Sequence, residues 1–253
     1  FNIDRDKQSI IPFIRAAQKY NPGLTFWTSP WCPPSWMKIT GDYPVLSSKF
    51  NHMPEKMNYI LYGNVNDKVD PDEMKLVGRR GDKFPRQLAT TDYFIQDPRY
   101  LQAYANYFCK FIDAYKEQGV NIDMVIYQNE AYSYTPYPGC AWTAEGTVRF
   151  NRDYLGPTLR QKHPEVKLYL GTFNTNRVDY VQKIASDTKL QEYVSGMAFQ
   201  WEGRESLPVL RKEHPEWNYM CSESECGWGS FDWGAGEHTF ELMNHYLGNG
   251  CNE

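Results

Sequence analysis

Apolar residues recur along this chain in two alternating rhythms, one helical and one short and continuous. Ile10, Ile11, Phe13, Ile14 and Ala17 mark one side of a helix over Gln8–Tyr20, which Asn21-Pro22-Gly23 stops. Leu24–Thr28 reads as a short strand. It runs into Ser29-Pro30-Trp31-Cys32-Pro33-Pro34-Ser35-Trp36-Met37-Lys38, where prolines bar regular structure and hold two tryptophans on a stiff loop. From about Gly41 to Asp97 no period emerges. A polar stretch of that size inside a compact domain is expected to be a functional loop insertion, here over the same face as Trp31. Asp97-Pro98 signals a helix start, and Leu101, Tyr104, Ala105, Phe108, Ile112 and Tyr115 continue its stripe to Gln118.

The remaining chain repeats this alternation. Strands are expected at about 122–128, 166–172, 194–200 and 217–222. Helices are expected from Thr143 to about Lys162, over Val178–Ala185, Leu190–Tyr193 and Ser206–His214, and from Phe240 to Leu247. Five βα units in a row argue for a parallel sheet with helices outside. Strand after strand ends in Trp, Asn, Gln or Glu, as in the active face of a (β/α)8 barrel. Five units do not close eight strands. The chain is therefore either an internal piece of such a barrel, which we expect, or an open sheet. It begins at Phe1 without a signal-like segment, as expected of a stretch lying inside a larger protein.

Composition narrows the partners. A net charge of −4 offers no basic excess for a nucleic-acid backbone. No run of about 18 apolar residues is present to span a bilayer. The six cysteines are too sparse for a disulfide scaffold and none forms C-x-x-C, so no metal or other cofactor is expected. Aromatic residues are abundant at 16%, enough to build both a core and the flat platforms that bind the C–H faces of sugars.

Candidate chemistry lies at two strand ends. The apolar run Ile122–Ile126 ends abruptly in Gln128-Asn129-Glu130, followed by a Tyr/Pro-rich loop. The strand from Trp217 ends at Glu223, with Glu225 two residues on as a rival. Two carboxylates on separate strands are the minimum for glycoside cleavage, one protonated to assist the leaving oxygen and one ionised to attack or to activate water. Most of the 31 acidic residues are surface charges, so the pairing alone is a weak signal.

The motifs around these residues make it specific. Ser29-Pro30-Trp31…Pro33-Pro34-Ser35-Trp36-Met37-Lys38 resembles the S-P-W-x-x-P-x-W-[ML]-K signature of glycoside hydrolase family 30, the glucosylceramidase-like enzymes. Gln128-Asn129-Glu130, Tyr137-Pro138-Gly139-Cys140-Ala141-Trp142-Thr143-Ala144-Glu145, Leu155-Gly156-Pro157-Thr158-Leu159 and Ser222-Glu223…Cys226-Gly227 resemble further segments of that family, in the same order.

The resemblance implies a retaining β-glycosidase with a (β/α)8 TIM barrel beside a small β-sandwich. This chain would supply strands three to seven as one partial barrel domain over residues 1–253, with strands one, two and eight outside it. Glu130 would be the acid/base, Glu223 the nucleophile, and Asn129 a hydrogen-bond partner of the sugar 2-OH. Trp31 and Trp201 would be sugar platforms. Gln200 is either a substrate contact or an interior barrel hydrogen bond, and Trp36 and Trp142 are expected to pack. A β-glucoside or β-glucan substrate is implied, of the glucosylceramide or β-1,6-glucan type, in a secreted, periplasmic or lysosomal setting. Ala131 stands where the family has proline, and Glu202 where glucosylceramidases have an aromatic residue. The rival expectations are a carbohydrate-binding barrel fragment without turnover and an inverting hydrolase.

Overall fold

The structure, a computed structural model, describes residues 1–54, 92–133, 135–225 and 230–253. Most of the expected insertion, residues 55–91, lies outside the described residues, as do Cys226 and the segment Gly227-Trp228-Gly229.

Five strands form one parallel sheet in sequential order: β1 (Trp27–Thr28), β2 (Met124–Ile126), β3 (Lys167–Phe173), β4 (Val194–Gln200) and β5 (Asn218–Glu223). Helices separate them: α1 (Asp4–Gln8) and α2 (Ile10–Gln18) before β1, and α3 (Pro98–Lys116) before β2. Next come α4 (Ala144–Phe150) and α5 (Gly156–Lys162), then α6 (Val178–Ala185), α7 (Thr188–Gln191), α8 (Leu207–Glu213) and, after β5, α9 (Trp233–Gly248). This is a half-barrel of the (β/α)8 type. Beyond α9 the chain returns to the free edge of β5. There Glu253 N–H donates to Tyr219 O (3.2 Å) and Cys221 N–H to Glu253 O (3.0 Å), the hydrogen-bond pattern of a parallel ladder. Among the described residues no helix is long and apolar enough to cross a membrane.

Alternation along each strand splits the apolar residues between two faces. Val125 and Tyr127 face α3, in a cluster with Phe94, Leu101, Tyr104, Phe108, Trp142 and Phe150. Leu170, Met197, Phe199 and Tyr219 face α6, α8 and α9. Met124, Ile126, Tyr169, Ala198 and Met220 form a smaller cluster on the opposite, inner face. Helix α3 forms as its sequence implies. The Asp97 carboxylate accepts from Arg99 N–H (2.8 Å), Pro98 occupies the first turn, and Leu101, Tyr104, Ala105, Phe108, Cys109, Ile112 and Tyr115 are buried at helical spacing.

Three helices depart from expectation. The first is interrupted at Ser9, whose ψ of −59° accompanies an extended φ of −134°. The helix expected from Thr143 to Lys162 contains a π-helical turn over Asn151–Leu155, just before Pro157, which has no N–H to continue the ladder. The last helix starts at Trp233, seven residues before Phe240. Asp232 caps it by accepting from Ala235 N–H (3.0 Å), an arrangement that the glycines at 234 and 236 disguise.

Candidate active site

The turn after β2 is built from three strands and a loop. Asn129 N–H donates to Pro30 O (2.9 Å), and Gln128 Nε2 donates to Trp31 O (2.8 Å), so the Ser-Pro-Trp loop is tied to the strand end. On the other side Thr172 N–H donates to Gln128 O (2.9 Å). The loop is further held by Lys38. Its buried ammonium donates to the carbonyls of Tyr43 (2.7 Å), Pro44 (2.8 Å) and Gly139 (2.8 Å), and burial lowers its pKa.

Glu130 closes the turn with a φ of +50°. Trp201 has the same φ, and among the described residues these are the only non-glycine residues in that region. Such a conformation costs on the order of 1–3 kcal/mol and persists where the surroundings impose it. The two strained residues are bonded to each other: Trp201 Nε1 donates to Glu130 Oε1 (3.0 Å). Gln200 Nε2 donates to the same oxygen (2.9 Å), and Ser133 Oγ donates to Oε2 (2.7 Å). Asn174 Nδ2 donates in turn to Ser133 Oγ (2.6 Å). The Gln200 amide is oriented by Ser222 Oγ, which donates to Gln200 Oε1 (3.3 Å). The Glu130 carboxylate, nine-tenths buried, thus takes donors from three side chains on two segments.

Glu223 reaches the same place through a register irregularity. Phe199 pairs with Cys221, but Gln200 pairs with Glu223, so β5 carries one extra residue there. A regular ladder would pair Gln200 with Ser222. The extra residue sets Glu223 opposite Gln200, whose inner-face neighbour is Ala198. Burial raises the Glu223 pKa above the usual glutamate range, and the charge of Glu130 raises it further. The two carboxylates therefore flank Gln200 and sense each other. Glu225, the rival, is engaged elsewhere. Its Oε1 meets His238 Nε2 (2.9 Å) and Arg204 Nη1 (3.4 Å). Burial pushes its pKa up, but its own backbone N–H, His238 and Arg204 together bring it below the ordinary value.

A second irregularity serves Asn129. Between Leu170 and Phe173 the β3–β4 register shifts, and Gly171 takes a φ of +121° against the β4 backbone, where an added Cβ would lie 2.3 Å from Ala198 O. The following hydroxyl, Thr172 Oγ1, accepts from Glu130 N–H (2.9 Å) and donates to Asn129 Oδ1 (3.0 Å).

The structure thus brings Asn129, Glu130, Gln200, Trp201 and Glu223 together. It commits the Trp201 indole N–H to Glu130, a contact that a sugar platform does not require. The Trp31 ring is half-exposed and meets the Tyr137 ring edge-on (5.8 Å). Trp142 packs as expected, fully buried, but Trp36 does not. It is 61% exposed, with its ring tilted against Tyr100 (5.7 Å). Thr172, Ser133 and Asn174 are parts of the site that the sequence did not single out, and Lys38 stood only as the last residue of the Ser-Pro-Trp signature, with no role. Gly171 inside a strand was the available signal for Thr172, because an interior glycine marks a bulge or a close backbone approach. Among the described residues no three metal-ligating side chains gather in one place, and the five described cysteines are free thiols.

Known proteins resemble this chain in sequence and in fold. Mouse (Mus musculus) lysosomal acid glucosylceramidase is 28% identical over 206 residues, which cover 78% of this chain and 31% of the relative. Endo-1,6-beta-D-glucanase neg1 of Aspergillus fumigatus is 24% identical over 200 residues, 79% of this chain and 34% of the relative. The crystal structure of SrfJ from Salmonella typhimurium shares the fold with a TM-score of 0.72 at 20% identity, over 99% of this chain and 48% of that one. The chain spans about a third of the length of these curated relatives. Residues 1–50 and 93–247 match the glycosyl hydrolase family 30 TIM-barrel domain, and the chain belongs to that family.

Proposed function

We propose that this chain carries the acid/base and the nucleophile of a retaining β-glycoside hydrolase. Its substrate contains a β-glucosidic bond, as in glucosylceramide or β-1,6-glucan, in line with the names of the two curated relatives. Residues 1–253 form part of one catalytic barrel domain. The observation that carries this reading is the pair of carboxylates meeting at Gln200: Glu130 through a hydrogen bond, Glu223 through strand register.

The donors around Glu130 say where its proton goes. Gln200 and Trp201 present N–H groups, which cannot accept, to Oε1. A proton on Glu130 therefore sits on Oε2, beside the Ser133 hydroxyl, which can turn from donor to acceptor. In the first step the Glu223 carboxylate attacks the anomeric carbon. The bond to the leaving oxygen breaks, and that oxygen takes the proton from Glu130 Oε2. Glu223 is now a neutral ester, and Glu130, having given up its proton, is the carboxylate that serves as base. In the second step Glu130 takes a proton from water, and the water oxygen displaces Glu223 from the same carbon. Two inversions give net retention.

The test is the stereochemical course. Proton NMR of a β-glucoside digest by the complete protein should show the β-anomer first. The α-anomer as first product would replace this mechanism with an inverting one, and binding without turnover would favour a carbohydrate-binding role.

A further inference from the structure

We infer that Thr172 is a positioning residue that dictates which way the Asn129 amide faces, and so the enzyme's selectivity for a sugar bearing a 2-hydroxyl. This inference rests on the proposed function and deepens it. Thr172 is fully buried at the bulge of β3, and it touches each of the three residues in the Gln128-Asn129-Glu130 turn. Its N–H donates to Gln128 O (2.9 Å). Its single hydroxyl accepts from Glu130 N–H (2.9 Å) and gives its only proton to Asn129 Oδ1 (3.0 Å).

That arrangement has one consequence for the amide. With Oδ1 taken by Thr172, the group Asn129 has left to offer is Nδ2, a pure donor. Asn129 Nδ2 is buried and has no partner among the described residues. An unpaired buried donor in the turn that carries Glu130 is suited to a ligand oxygen. Turned the other way, the amide would present an acceptor to a sugar hydroxyl and its NH2 to Thr172. In that orientation the threonine hydroxyl would accept from both the Glu130 N–H and the Asn129 NH2, and its own proton would lose the Asn129 acceptor, so the productive orientation is favoured. A single buried hydroxyl thus couples the backbone of the acid/base to the side chain that reads the sugar.

Thr172→Val keeps the shape and the backbone contact to Gln128 but removes the hydroxyl. Thr172→Ser restores it. In the complete protein, kcat/KM is measured for an activated aryl β-glucoside and for its 2-deoxy counterpart. The wild type is expected to prefer the 2-hydroxy substrate by at least about a hundredfold, because contacts to the 2-OH strengthen in the transition state. Thr172→Val should compress that ratio by about tenfold or more, since a mis-set contact at the reacting sugar is felt strongly. Thr172→Ser should restore the ratio. A Thr172→Val enzyme that loses activity equally on both substrates, with the ratio intact, would overturn the inference and leave the proposed function standing. Absence of any preference in the wild type would remove the role of Asn129 and this inference with it. Should Thr172→Val fail to fold, Thr172→Ala supplies the same comparison, with the same compression expected and an intact ratio again the overturning result.

Discussion

The end of β2 and the end of β5 each deliver a glutamate to the same place, but they are built differently. Glu130 is held in a left-handed backbone conformation, with three side chains donating to its carboxylate from the following loop, the end of β4 and the turn after it. Glu223 is placed by strand register and is only half-buried. What perturbs it most is the loss of water around it, and then the charge of Glu130. The difference teaches that the two carboxylates are not interchangeable. A group that must both give and take a proton keeps its aim through a neutral and a charged state, which calls for partners able to hold it in each. A group that attacks needs an exposed lone pair and a clear approach line, and partners on its oxygens would compete with the sugar carbon.

The largest effect that would break this distinction is a variant of either carboxylate. Glu223→Gly should lower kcat/KM on all β-glucosides by at least about a thousandfold, whatever the leaving group. Azide should then restore turnover by filling the space and giving the α-glycosyl azide. Glu130→Ala should spare the first step for activated aryl substrates, which leave without protonation, and azide should give the β-glycosyl azide. Product anomers identified by NMR separate the two. The same azide anomer from both variants would mean that the assignment of roles is wrong.

A smaller effect tests the rigid half of the site. Trp201→Phe keeps a flat ring but removes the N–H that reaches Glu130 Oε1. A hydrogen bond to a charged group is worth about 1.5–3 kcal/mol, so kcat should fall roughly tenfold to a hundredfold. A sugar platform alone predicts nearly unchanged kcat, because phenylalanine still offers a face. Steady-state kinetics on one aryl glucoside decides between a change in kcat and a change in KM.

How much of this was legible in the sequence depended on what kind of order each part carries. The five βα units were readable because strands covered on both faces stand out as short apolar runs between helical stripes. Helix α3 was readable because Asp97-Pro98 and seven buried positions agree. Glu130 and Glu223 were found at strand ends. The contacts that orient them were not, because both β3 and β5 carry an extra residue near their ends. Side-chain parity counted along the sequence fails beyond such a bulge, so Thr172 could not be assigned to the site by counting. The role of Lys38 was hidden for another reason. A lysine after a Pro-rich loop looks solvated, yet three carbonyls, from Tyr43, Pro44 and Gly139, converge on it only after folding.

That buried lysine sharpens the comparison through stability. Lys38→Met fits the volume but leaves three carbonyl oxygens without their shared donor. The cost should be about 2–4 kcal/mol, since each buried polar group left unpaired costs on the order of 1–3 kcal/mol and partial rehydration offsets some of it. Denaturant unfolding of the complete protein measures it. The damage should fall on the end of β2, through the loop bonded to Gln128 and Asn129, and azide rescue of a Glu223→Gly background should weaken in parallel.

The smallest expected effect concerns the other carboxylate and depends on pH. The folded protein holds the Glu223 pKa above its unfolded value, so the folded state binds the extra proton more readily. Its contribution is most favourable below the unfolded pKa and is lost as pH rises through the folded one, where a charge must be kept in partial burial beside Glu130. At neutral pH Glu223 therefore opposes folding. Glu223→Gln removes that charge and should raise Tm at pH 7 by about 1–2 °C, the shift expected for a fraction of a kcal/mol in a chain of this size. At pH 3.5 and below, the wild type is protonated at this position and the two proteins should melt together. A variant less stable than the wild type at pH 7 would mean that the Glu223 carboxylate is held by a favourable partner, and the contrast between the two strand ends would be lost.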